Sequence, residues 1–96
     1  MSVNTSNQAF NDAANIEAQK LKGHLSQDDM LRLYSFFKIA KGDDITTEAA
    51  PGMFDLARKK MRASWKARVD EGVTVEEAQK KYIELVEELK KDKQIQ

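Results

Sequence analysis

Cysteine is absent from this 96-residue chain, which removes disulfide scaffolds, thiolate nucleophiles and zinc–thiolate sites at once and fits a reducing compartment. Histidine occurs once, at His24 in a turn, so no second histidine can complete a nucleophile–base pair or a zinc site. The four glycines stand singly in turns, which excludes a glycine-rich phosphate loop. Charge of one sign is not in excess either: 16 basic and 16 acidic residues give a formal net charge of zero. That balance argues against wholesale capture of nucleic acid or of an anionic membrane, so any anion site must be local. No apolar run approaches the roughly 18 residues a membrane span needs, and stable membrane insertion is not expected. The polar opening Met1 to Gln8 lacks the basic and apolar regions of a signal peptide. A non-catalytic cytoplasmic protein of one domain, 1–96, is the expectation, with 1–6 a flexible extension and 92–96 frayed.

What the chain does have is helical periodicity. From about Asn7 to Lys22, Phe10, Ala13, Ala14, Ala18 and Leu21 recur at three- and four-residue steps, a first amphipathic helix stopped by Gly23. Ser26 caps a second, running to about Lys41, whose apolar residues cover more than one stripe; such a helix is central in a bundle or lends a side to a ligand. Gly42 ends it, and Asp43 to Pro51 has turn chemistry without a period. Asp43-Asp44 lacks the spaced oxygen ligands of an EF-hand, so calcium is not expected. A third helix begins near Phe54 or Asp55 and runs to about Val69, with Ala57, Met61, Trp65 and Val69 inward and a basic outer side, Arg58 to Arg68, of the kind that is usually solvated. Thr74 and Glu77 form a capping box for the fourth, whose seam is Val75, Ala78, Tyr82, Leu85, Val86 and Leu89. The fold class is all-α, four helices around one core.

On the second helix Tyr34, Phe37 and Lys38 lie three and four apart, so they project over one side. Stacking surface beside a cation suits a phosphorylated, ring-containing ligand; core aromatics beside a solvated lysine are the plainer reading.

The residues around this cluster carry a resemblance. Met30-Leu31-Arg32-Leu33-Tyr34-Ser35-Phe36-Phe37-Lys38, Gly42-Asp43 leading to Pro51-Gly52-Met53, Trp65, and Ala78-Gln79-Lys80-Lys81-Tyr82-Ile83 with Val86-Glu87-Glu88-Leu89 together resemble the acyl-CoA-binding protein family, from about Phe10 to Lys91. The resemblance implies an up-down-down-up four-helix bundle that binds fatty acyl-CoA thioesters, medium- to long-chain, without a cofactor. By position, Tyr34 and Lys38 contact the phosphorylated ribose, with Ser35 in the same motif, and Phe37 lies against the adenine where the family usually has tyrosine. Tyr82 lines the pantetheine and acyl portion, and Met30 with Leu31 covers the chain. Burial of that chain is worth about 0.8 kcal/mol per CH₂.

Two positions depart from the family. Met61 stands where a lysine normally holds the phosphate, and Gln19, beside Lys20, falls where another lysine is expected, across an apparent one-residue insertion in the first helix. Each lost charge-assisted bond costs about 1.5–3 kcal/mol. Arg58 and Arg62 flank Met61 and are the candidates to compensate, ahead of Lys60, which points about 100° round the helix. The expected role is a monomeric carrier that buffers acyl-CoA and hands it to acyl-CoA-using enzymes. The alternative is a degenerate fold whose second helix docks a partner helix with little or no ligand binding, and a CoA-dependent enzyme ranks below both.

Overall fold

The computed structural model describes residues 3–96, and among them every regular element is helical. Helix α1 covers Gln8–Asp12, α2 Gln27–Ala40, α3 Leu56–Asp70 and α4 Val75–Asp92, with a short 3₁₀ turn at Ile45–Thr47 between α2 and α3. The predicted first helix holds its path but not its winding. After α1 the chain passes through a π turn, Ala13–Glu17, and then a 3₁₀ turn, Ala18–Leu21. A π turn takes up one residue more than an α turn, so it is a natural place for a one-residue insertion. The wide turn followed by a tight one keeps the mean period close to that of an α-helix, so the apolar spacing does not reveal either.

Helix starts follow the sequence closely. Ser26 and Asp29 form a reciprocal capping box on α2, Thr74 and Glu77 another on α4, and the Asp55 carboxylate accepts from the Arg58 amide to cap α3. Residues 3–6, within the stretch expected to be a flexible extension, are tethered: Asn15 exchanges two hydrogen bonds with the Val3 backbone, and Asn11 accepts from the Thr5 amide and donates to its carbonyl. The same expectation for residues 1 and 2 falls outside the described residues. At the other end, where fraying is expected, Gln94 takes a left-handed conformation while Ile95 and Gln94 amides return to the Lys90 and Lys91 carbonyls, a Schellman closure.

Cross-helix partners give the topology. Ser64 bonds the Leu31 carbonyl and Arg68 the Ser35 hydroxyl, so numbers rise together along α2 and α3, which run parallel. Gln79 bonds the Ala40 carbonyl while Lys93 pairs with Asp29, so α4 opposes α2. Asn7 meets Gln79 and Glu17 meets Lys90, so the first helical segment runs with α4. The result is up-down-down-up, with α2 packed against both α3 and α4. Phe10, Leu21, Trp65, Ala78, Tyr82, Val86 and Leu89 form the heart of the core. On α3 the expected inward stripe narrows: Trp65 is buried and Met61 partly so, but Ala57 and Val69 are exposed.

Candidate ligand-binding site

The site begins at the end of α2. Gly42, at φ 84°, lets the chain reverse so that the Gly42 amide bonds the Ile39 carbonyl and the Asp43 amide bonds the Lys38 carbonyl. In such a Schellman closure the residue after the glycine folds back over the helix position five residues earlier. Here that brings Asp43 onto Lys38, with Oδ2 at 2.8 Å from Nζ. From the loop beyond, Glu48 places Oε2 at 2.9 Å and Oε1 at 3.1 Å from the same nitrogen. Burial pushes the Lys38 ammonium down, but the bonds to Asp43 and Glu48 outweigh it and leave its pKa above the ordinary lysine value. Burial likewise raises the Asp43 carboxyl, and its bonds to Lys38 and Lys41 more than reverse that. Lys38 also lies 4.8 Å from the centroid of the Trp65 ring and 6.0 Å from that of Tyr34, so its ammonium rests on an aromatic floor.

Two cavities of opposite character adjoin along Tyr34 and Met61. The first, about 450 Å³, has cations on several sides: Lys38 from α2, Arg58 and Arg62 from α3, with Trp65 and the loop Glu48 to Gly52 closing it. Arg62 is engaged there, donating to the carbonyls of Ile45 and Glu48 at 3.2 and 3.3 Å, whereas Arg58 reaches out to Asp55 at 3.6 Å. The second, about 330 Å³, is mainly apolar, lined by Ala14, Ala18, Leu25, Met30, Leu33, Phe37 and Tyr82, with Gln19 and Lys22 at its edge. Two of its aromatic rings belong to a trio completed by the buried Phe10: Tyr82 meets Phe10 edge-on with centroids 5.2 Å apart, and Phe37 lies 5.7 Å from Tyr82. Burial raises the Tyr82 phenol to a pKa of about 12.

The expected cluster of Tyr34, Phe37 and Lys38 is thus divided. Tyr34 and Lys38 line the polar cavity, whereas Phe37 turns to the apolar one, packs on Phe10 and Tyr82, and carries Lys41 5.0 Å above its ring. Met61 faces both cavities, so a methionine there extends apolar wall where a cation was expected. Met30 is half exposed at the apolar rim. Four candidates lie elsewhere. Ser35 is buried, donates to the Arg32 carbonyl and accepts from Arg68, which ties it to the α2–α3 contact. Leu31 gives its carbonyl to Ser64, Lys20 pairs with Glu17, and Lys60 sits on the exposed outer side of α3. Sequence reasoning missed Glu48 and the loop-holding role of Arg62, because contacts made through an aperiodic loop leave no spacing to read.

The Acyl CoA binding protein family model matches residues 7–86. The chain is 42% identical over 81 residues to Acyl-CoA-binding protein homolog 1 of Caenorhabditis elegans, covering 84% of this chain and 90% of that one. It is 37% identical over 78 residues to Acyl-CoA-binding protein homolog of Manduca sexta, covering 81% and 84%. No solved structure gives a significant match.

Proposed function

The chain belongs to the acyl-CoA-binding protein family, and from that premise we propose that it binds medium- to long-chain fatty acyl-CoA thioesters, carries and buffers them in the cytoplasm as a monomer, and does no chemistry on them. The observation that supports this reading most is the pairing of a cationic cavity with an apolar one across the shared wall of Tyr34 and Met61. A ligand anionic at one end and apolar at the other matches that pair. Lys38, with Arg58 and Arg62, takes the phosphorylated end by charge-assisted bonds, while Tyr34 offers a ring to stack on. Phe37, Tyr82 and Met30 take the pantetheine and the first part of the chain, and the aromatic rings give them apolar area to cover. Acyl-CoA-using enzymes receive the ester by transient contact.

Calorimetric titration with palmitoyl-CoA, free CoA and free palmitate tests the reading. The ester is expected to bind much more tightly than either half, because it alone joins the anionic end to a fatty chain and covers the apolar cavity as well as the cationic one. The interaction-module alternative rests on Met61 and on Lys38 being already paired with acids, and it predicts no heat with any of the three.

A further inference from the structure

We propose that Glu48 is a built-in competitor for the phosphate end of the ligand, and that displacing it both frees Lys38 and releases Arg62 into the cavity. This deepens the acyl-CoA reading and rests on it.

The Lys38 ammonium has three N–H donors, and three carboxylate oxygens lie within hydrogen-bonding distance of it: Asp43 Oδ2, Glu48 Oε1 and Glu48 Oε2. As it stands, the Lys38 charge is already met by two carboxylates, and the Glu48 carboxylate lines the cavity a phosphate would enter. An anion entering this cavity therefore exchanges with one of the two acids. Asp43 is the fixed one, held over Lys38 by the Gly42 reversal and gripped by Lys41 as well, at 3.3 Å. Glu48 is the displaceable one: it follows a single 3₁₀ turn in a loop with no helix to hold it, and its carboxylate is partly exposed.

The same loop carries the acceptors that occupy Arg62. Both guanidinium contacts go to loop carbonyls, and one of these is the carbonyl of Glu48 itself. If Glu48 leaves Lys38 by a shift of the loop backbone, the Arg62 anchor weakens in the same step. One acid leaves and one guanidinium becomes free beside Met61, at the position where a lysine would otherwise stand. The exchange makes the site selective for ligands with enough negative charge to displace a carboxylate, and it supplies a second cation only when such a ligand arrives.

Titrating CoA, and CoA lacking the ribose phosphate, into the full chain and into Glu48→Gln and Glu48→Ala tests this, with the fluorescence of Trp65, the single tryptophan, as a second readout. The variants are expected to bind CoA about 3- to 10-fold more tightly than the parent chain, to gain less with the dephosphorylated ligand, and to melt at a slightly lower temperature, since they lose an ion pair. Affinity and stability moving in opposite directions is what a purely structural role for Glu48 would not produce. Arg62→Ala placed on Glu48→Gln is expected to return most of the gain. If the parent chain binds CoA and both Glu48 variants bind it no better, the competitor proposal is wrong while the carrier reading stands. If neither parent nor variants bind CoA or its esters, both fall.

Discussion

At the residue scale the site turns on one cation and its surroundings. Lys38, the one lysine within α2, meets two acids, a tryptophan face and a tyrosine. Lys38→Gln is expected to weaken palmitoyl-CoA binding at least about 10-fold by calorimetry, the effect of removing a charge-assisted bond. Met61→Lys restores a cation on the wall common to both cavities and is expected to tighten binding about 10-fold, with Arg62 then dispensable. Much of this was legible in the sequence: the i, i+4 spacing of Tyr34 and Lys38 puts them on one side of any helix, and they do share a cavity. Phe37 lines the other cavity, and spacing does not reveal this: it says which residues neighbour one another but not which of two cavities a ring turns towards, and packing on Phe10 and Tyr82 decides that. Ser35 carries a motif position yet points into the α2–α3 contact, a direction its neighbours' roles do not reveal.

At the scale of elements, the end of α2 and the irregular first helix matter most. Gly42 sits in the left-handed region, and a Cβ there would meet nothing within 4 Å, so Gly42→Ala exposes the backbone cost alone: about 1 kcal/mol of stability, read as a shift of the urea midpoint. Because Gly42 also aims Asp43 at Lys38, the same variant is expected to loosen the loop at Glu48. In the first helix, deleting the exposed Ile16 is expected to convert the π turn Ala13–Glu17 to an ordinary α turn, with a cooperative transition and a loss of no more than about 2 kcal/mol; an unfolded product would contradict the account of the turn as an absorbed residue. The capping boxes at Ser26 and Thr74 were readable from local chemistry, since a cap needs only its own four residues. The π turn was not, because an apolar stripe averages over turns. The loop contacts of Glu48 and Arg62 join residues 10 and 14–17 positions apart through a stretch without periodicity, beyond any local rule.

At the scale of the whole molecule, charge is balanced in sum and organised in detail. The carboxyls of Glu17, Asp29, Asp43, Asp44 and Glu77 are all held below their ordinary values of 3.8 or 4.5 by hydrogen bonds and lysine partners. A carboxyl with a depressed folded pKa stabilises the fold above its unfolded pKa, and that contribution disappears as pH falls through the folded one. Lys38 and Lys90 lie above 10.5, and Tyr82 near 12 instead of 10, so their contributions are complete below pH 10 and are lost as pH rises beyond it. The melting temperature is therefore expected to be flat from about pH 5 to about pH 9.5 and to fall on both sides, with Asp43→Asn shallower on the acid side. The apolar surface is not wholly used by core and cavities, as Met53, Phe54 and Leu56 stand exposed beside the basic outer side of α3. Like charge on that face opposes self-association through it, in keeping with the proposed monomer.

The central claim is that one bipolar ligand fills two adjoining cavities, and calorimetry of the full chain with palmitoyl-CoA against free CoA and free palmitate tests it most directly. Binding of the ester at least about 100-fold tighter than either half is the predicted result, since free CoA forgoes burial of the chain and free palmitate forgoes the cationic cavity. Equal affinity for ester and free CoA, or no heat with any of the three, would contradict it.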